Sequence, residues 1–153
     1  MAYPVPEPLL IKSTAVTTVS PAMTTLPVVT PYQMLGGEAA LRELVDRFYG
    51  YMDSLPDAAG IRALHAPDLS GAKGKLFKFL SGWLGGPNLY WEEFGHPRLR
   101  MRHFPFPIGV SERDQWMLCM ERALNDLSLD AGFRAKLLAA FGRTATHMIN
   151  RDA

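Results

Sequence analysis

Cysteine is almost absent from this chain, since Cys119 is the only one among 153 residues. A single cysteine excludes an intrachain disulfide, and it is compatible with a reducing compartment, so we expect a cytoplasmic protein. The same scarcity excludes every motif built on paired cysteines, whether for a zinc ion or for covalent attachment of a prosthetic group.

An excess of charge of either sign is also missing, because 16 Lys and Arg residues oppose 15 Asp and Glu residues. A formal net charge of +1 gives no overall attraction to nucleic acid or to anionic membranes. Long hydrophobic runs are lacking as well, and none approaches the roughly 20 apolar residues of a membrane span. We therefore expect a soluble protein that binds neither nucleic acid nor membranes.

The composition changes near residue 31. Residues 1–30 are rich in Pro, Thr, Val and Ala, carry only Glu7 and Lys12 as charged residues, and show no helical period. We interpret this segment as an extended, partly disordered tail, with a docking strand or a partner-binding arm as the alternative. The sequence predicts that residues before about Tyr32 are dispensable for folding.

From residue 31 to 153 the apolar residues recur with a helical period. The first stripe consists of Leu41, Leu44, Val45, Phe48, Tyr49 and Met52, and similar stripes follow around residues 76–83, 116–127 and 133–148. No segment alternates convincingly between apolar and polar residues. We therefore predict one all-α domain over residues 31–153, which is long enough to bury a sizeable core.

Turn and capping residues predict the boundaries of the later helices. Gly85, Gly86 and Pro87 end one helix, and we expect a long loop over residues 85–97. A short helix over residues 98–103 follows, which the prolines just beyond it prevent from continuing. The residues from Ser111 to Asp114 have the spacing of a capping box, and Asp130 is placed to cap the last helix.

The residues around His103 suit the binding of an iron porphyrin. Leu99 and His103 lie four residues apart and share a helix face, while Arg98 and Arg102 share the neighbouring one. A neutral imidazole nitrogen can bind iron, an apolar surface can cover the porphyrin, and arginines can meet its propionates. Taken alone, the same residues also fit a solvated histidine among surface arginines.

Several sequence motifs resemble those of group II truncated haemoglobins. They are RFY at residues 47–49, WLGGPNLY at 83–90, GHPRLRMRH at 95–103, PF at 105–106 and ERDQW at 112–116, together with the glycine pairs at 36–37 and 85–86. The resemblance extends from Pro31 to Ile149. It implies a two-over-two helical sandwich, an all-α truncated globin fold, around a non-covalent haem b.

The resemblance also implies roles for individual residues. His103 is expected to be the proximal iron ligand, with its other ring nitrogen bonded to a backbone carbonyl. Tyr49 and Trp116 are expected to point into the distal cavity, and His65 to line it after the short second helix, with Leu64 as the alternative. The remaining residues of the expected haem pocket are Phe48, Ala72, Lys75, Leu76, Phe79, Tyr90, Leu99, Arg102, Phe106 and Met120. Lys75 and Arg102 are the expected propionate partners.

A pocket with several hydrogen-bond donors suggests that the protein binds oxygen and other diatomic gases, with slow release of oxygen. Tyr49, Trp116 and His65 can each offer an O–H or N–H group to a bound gas. A peroxidase or nitric-oxide dioxygenase supplied with electrons by an unknown reductase is the enzymatic alternative. A haem-free helical interaction protein is a further alternative, and either a monomer or a homodimer is compatible with the sequence.

Overall fold

The protein is described here by a computed structural model that covers residues 29–151. Every regular element in this range is helical, which confirms the predicted all-α class. In chain order the helices are α1 (Pro31–Leu35), α2 (Gly37–Ser54), α3 (Ala59–Ala63), α4 (Ser70–Trp83), α5 (Leu89–Phe94), α6 (Leu99–His103), α7 (Val110–Asn125) and α8 (Ala131–His147), with a 3₁₀ turn at Pro56–Ala58. None of these helices combines the length and the hydropathy needed to cross a membrane. Apart from residues 29 and 30, the predicted tail lies outside the described range.

Two pairs of long helices form the body of the domain. Helix α2 packs on α4, α7 packs on α8, and α2 joins the two pairs by packing on α7. The whole predicted stripe of α2 is buried, and it meets Met120 and Leu124 of α7 and Phe141 of α8. Burying a side chain of this size contributes about 1.5–3 kcal/mol to stability. The result is the expected two-over-two arrangement.

The prediction of a continuous loop over residues 85–97 is wrong, because the short helix α5 lies within it. Tyr90 of this helix is buried, and α5 packs against α4. Gly95 then ends the helix with φ 77°, a value that favours glycine. Six residues are too few to show a helical period, so tertiary packing rather than sequence pattern specifies this element.

The predicted start of α7 differs from the observed one by two residues. The backbone N–H of Gly109 donates to Oε1 of Glu112 at 2.7 Å, so the residue capped by Glu112 is Gly109. Ser111 lies inside the helix, where its hydroxyl accepts from Nε2 of Gln115. The predicted cap of α8 is confirmed, since the N–H of Phe133 donates to the carboxylate of Asp130 at 3.0 Å.

Thr30 is the N-terminal cap of α1. Its hydroxyl accepts from the N–H of Gln33, and its own N–H donates to the Gln33 side chain, both at 3.1 Å. The N–H of Tyr32 donates to the carbonyl of Leu84, which fastens α1 to the end of α4. A Cβ atom at Gly86 would lie 2.5 Å from the ring of Tyr32, so this contact requires glycine.

We expect a chain that begins at Val29 to keep the melting temperature of the full chain. In that shortened chain, Thr30→Ala should lower the free energy of unfolding by about 1 kcal/mol, because it removes an N-cap. Thr30→Ser retains the hydroxyl and serves as the control. Thermal unfolding of the full chain, the shortened chain and its two variants tests this, and a loss of several degrees on removing residues 1–28 would contradict it.

Candidate functional site

The side chain of His103 is held in one tautomer by its own helix. Its Nδ1 lies 2.6 Å from the carbonyl oxygen of Leu99, and a carbonyl can only accept, so Nδ1 carries the hydrogen. Burial lowers the pKa of His103, although the bond to Leu99 acts in the opposite direction, and the nearby His65 lowers it further. His103 is therefore a neutral imidazole whose Nε2 lone pair is free for a ligand.

His65 has the same arrangement in the segment that follows α3. Its Nδ1 lies 2.9 Å from the carbonyl of Ile61, so its Nε2 is also without a hydrogen in the neutral ring. This differs from the expectation that His65 offers an N–H to the cavity. Because its N–H is directed to Ile61, neutral His65 can only accept a hydrogen bond there.

Tyr49 lies beside His65, and Phe48 lies between Tyr49 and Trp116. The ring centroid of Tyr49 is 5.8 Å from that of His65, and Phe48 lies 4.9 Å from Tyr49 and 5.0 Å from Trp116. Burial raises the pKa of the Tyr49 hydroxyl, so it stays protonated. Within residues 29–151, neither this hydroxyl nor the Trp116 indole N–H has a protein hydrogen-bond partner. Two free donors and one acceptor are thus brought together from separate helices.

Most of the other residues expected at the site are buried or half-buried. Phe48 and Met120 are fully buried in the core, and Ala72, Leu76 and Phe79 are half-buried on α4. Tyr90 is buried with its ring 6.3 Å from that of Phe79, and Leu99 is half-buried. Phe106, in contrast, is 42% exposed, so the structure does not bury it within the pocket.

Two cations lie at the rim of the site. Arg102 and Lys75 are both exposed, and neither is part of an ion pair within the described residues. The Arg102 guanidinium lies 5.6 Å from the ring centroid of Tyr90, and the Lys75 ammonium lies 6.0 Å from that of Phe94. Both positive charges are therefore available to an anionic group at the edge of the pocket.

Asn150 holds the segment that follows His103 in place. The sequence alone did not identify this residue. Its Nδ2 donates to the carbonyls of Phe106 at 2.9 Å and His103 at 3.3 Å, while its Oδ1 accepts from the N–H of Ile108 at 3.0 Å. Arg100 adds a second connection, donating to backbone carbonyls at residues 147 and 149. These bonds span more than 40 residues, so no local pattern could indicate them.

Gln115 holds the segment that carries His65 in place. The sequence alone did not identify this residue either. Its Oε1 accepts from the N–H of Ile61 at 2.8 Å, and the carbonyl of the same Ile61 accepts from His65. A Cβ atom at Gly60 would lie 2.9 Å from this amide, so α3 can approach α7 only with glycine there. The guanidinium of Arg62 donates to two carbonyls of the segment that follows, at residues 66 and 67. His65 is thus held in place by its neighbours.

This set of groups fits a haem held by one protein ligand to iron. His103 offers a free imidazole nitrogen, and Tyr49 and Trp116 offer polar groups without a hydrogen-bond partner in the described residues. Apolar side chains line the space and cations lie at its rim. A globin site needs these features: an axial histidine, a shielded porphyrin face and counter-charges for the propionates.

Two comparisons with known proteins assign the chain to the same family. The sequence profile of bacterial-like globins matches residues 30–150. The group 2 truncated hemoglobin YjbI of Bacillus subtilis is 40% identical over 121 residues, which are 79% of this chain and 89% of that protein.

Solved structures show the same relationship. The group II 2-on-2 hemoglobin of the plant pathogen Agrobacterium tumefaciens has a TM-score of 0.80 and 47% identity, covering 84% of this chain and 99% of its own. The truncated oxygen-avid haemoglobin of Bacillus subtilis has a TM-score of 0.72 and 40% identity, covering 79% and 99%. The chain therefore belongs to the bacterial-like globin family as a group II truncated haemoglobin, a membership that implies haem binding and gas binding.

Proposed function

We propose that this protein binds oxygen reversibly at a non-covalent haem b and releases it slowly. The observation that carries the proposal is that two unpaired donors, the Tyr49 hydroxyl and the Trp116 indole, both belong to side chains packed on Phe48, while His103 keeps a free Nε2. Haem supplies the iron that binds the gas, and oxygen gains negative charge when it binds to ferrous haem. The buried free thiol of Cys119 is compatible with a cytoplasmic location.

His103, Arg102 and Lys75 hold the haem in this proposal. The Nε2 of His103 binds the iron, and the bond from its Nδ1 to Leu99 orients the ring and raises its basicity. The exposed cations of Arg102 and Lys75 meet the propionates at the rim. Because these pairs are solvent-exposed, each contributes at most about 1 kcal/mol, and the imidazole bond provides the specificity.

The distal donors make oxygen release slow. The Trp116 indole can only donate, so it is committed to the gas, whereas the Tyr49 hydroxyl can donate either to the gas or to Nε2 of His65. A hydrogen bond to a charged group is worth roughly 1.5–3 kcal/mol, which slows dissociation by about ten- to a hundredfold. The related protein of Bacillus subtilis, described as oxygen-avid, supports this proposal.

His65 favours a second function, reduction of peroxide or oxidation of nitric oxide. Its bare Nε2 is an acceptor close to the Tyr49 ring, and a neutral imidazole is a suitable base for removing a proton from hydrogen peroxide. If this function operates, His65→Leu should slow peroxide consumption by about a hundredfold or more, while Tyr49→Phe should have a smaller effect. Equal rates in the His65 variant and the parent would eliminate it.

We expect one haem b per chain, extractable with acid acetone because no cysteine pair is present to attach it. His103→Gly should lose the Soret absorption of the purified protein, and free imidazole should restore it by replacing the missing ligand. Absorption spectra and iron analysis measure both effects. Haem that resists extraction, or normal haem binding in the variant without imidazole, would contradict the assignment. A parent protein with no Soret band would instead support the alternative of a haem-free interaction protein.

Trp116→Phe should raise the oxygen dissociation rate by roughly tenfold or more, equivalent to about 1.4 kcal/mol. The phenyl ring retains much of the packing against Phe48, and the N–H is lost. Carbon monoxide gains less charge on binding, so its dissociation from the same variant is the internal control and should change much less. Stopped-flow experiments measure both dissociation rates. An equal increase for the two gases would indicate that Trp116 is a steric gate, and no increase for either would indicate that it is only a core residue.

Asn150→Ala should increase the rate of haem loss several-fold, because it releases the loop after His103 from the end of α8. Transfer of haem to excess apomyoglobin measures that rate. Asn125→Ala, at an exposed position at the end of α7, is the matched control and should be unchanged. Identical rates in the two variants would show that Asn150 does not position the proximal side.

A further inference from the structure

The outer side of α6 exposes apolar side chains beside arginines. Arg98 and Phe104 flank α6 and Met101 lies within it, and all three side chains are exposed, so we call these three residues the proximal basic face. Met101 is 50% exposed and Phe104 is 57% exposed. Within residues 29–151, seven large hydrophobic residues are exposed, and four of them lie in 101–110. Such a concentration indicates an interaction surface.

The charge of this surface has one sign. No acidic residue occurs between Glu93 and Glu112, whereas Arg98, Arg100 and Arg102 all lie in that interval. Within the described residues none of the three arginines is in an ion pair, and Arg100 donates only to backbone carbonyls. When Arg102 pairs with a propionate, the positive charges of Arg98 and Arg100 therefore remain uncompensated on one short segment of a chain whose whole net charge is +1.

The backbone beneath the face is well ordered by local bonds. Arg98 has φ 44° and ψ 53°, and its N–H donates to Nδ1 of His96 at 3.0 Å. Arg100 holds the middle of α6 to the end of α8. A surface positioned in this way loses little conformational freedom when a partner binds.

The charge argues against a second copy of this chain as the partner. A two-fold dimer would place the same face of each copy against the other, so the arginines would repel one another. An acidic protein is complementary in charge, and its apolar residues can cover Met101 and Phe104. Long-range attraction between opposite charges can raise association rates by about ten- to a thousandfold.

We propose that the proximal basic face docks an acidic electron-transfer protein, carrying a reduced flavin or an iron–sulphur cluster, which reduces the haem. This rests on the proposed haem function, because His103 belongs to the same short helix and connects the face to the iron. One electron passes from the donor to ferric iron, which becomes ferrous, and the donor is oxidised by one electron. No bond is made or broken in this transfer. Complexes of this kind have small interfaces, so charge dominates their formation.

The test measures reduction of the ferric full-length holoprotein by stopped flow, with ferrous haem trapped by carbon monoxide. An acidic plant-type ferredoxin and an acidic flavodoxin, each kept reduced, serve as donor probes. Arg98→Glu should lower the second-order rate constant roughly tenfold at low salt, and rising salt should slow the parent but not the variant. Arg98→Gln should have an intermediate effect, and Phe104→Ser should also slow reduction without changing the charge.

Lys136→Glu is the matched control, because Lys136 is an exposed cation on α8, far along that helix from the residues that Arg100 holds. It should retain the parent rate within about twofold. Dithionite, a small reductant, should reduce every variant equally, which shows that the haem site itself is intact.

Three outcomes would overturn the proposal. They are equal rates in Arg98→Glu and Lys136→Glu, no reduction by either acidic donor, and charge-dependent binding to vesicles of anionic lipid without any effect on reduction. The last result would indicate a membrane surface as the partner. A protein without bound haem would refute the proposed function, whereas normal haem binding with equal rates would refute only the docking surface.

Discussion

The site depends on the hydrogen bond between Nδ1 of His103 and the carbonyl of Leu99, which lie 2.6 Å apart. This bond places the hydrogen on one ring nitrogen and leaves the other free for a ligand. Burial acts in the same direction, because it lowers the pKa of the ring and keeps the imidazole neutral. The ring of His65 is oriented in the same way, because its Nδ1 bonds to the carbonyl of Ile61. The difference in their roles must therefore come from their surroundings.

Those surroundings are built by residues remote in sequence. Asn150 and Arg100 connect the loop and helix around His103 to the end of α8, and Gln115 connects α3 to α7. The helix pairs provide the rigid support for these bonds, since the apolar stripe of α2 at their centre is buried almost completely. Groups held by buried helices and satisfied carbonyls lose little entropy when a ligand binds, which is the condition for strong polar recognition.

Patterns within one helix were predictable, and contacts between helices were not. The stripe of α2 and the cap at Asp130 follow from spacing and are observed. The short helix α5 was missed because six residues carry little local signal, and the cap of α7 lies at Gly109, two residues before the predicted one. His103 and Trp116 were selected by family resemblance, since spacing alone allowed a surface histidine and a core indole. The tautomer of His65 can be assigned only from the position of the Ile61 carbonyl, and that position is known only from the folded backbone.

The bonds of Asn150 also determine when the pocket can be completed during protein synthesis. Residue 150 follows α8, yet it anchors the segment that carries His103, 47 residues earlier. While the ribosome is still adding α8, the nascent chain already contains the imidazole and the distal residues but lacks the anchor that secures the proximal loop. Stable capture of the prosthetic group is therefore expected to be late in biogenesis, after the whole of α8 has emerged and docked.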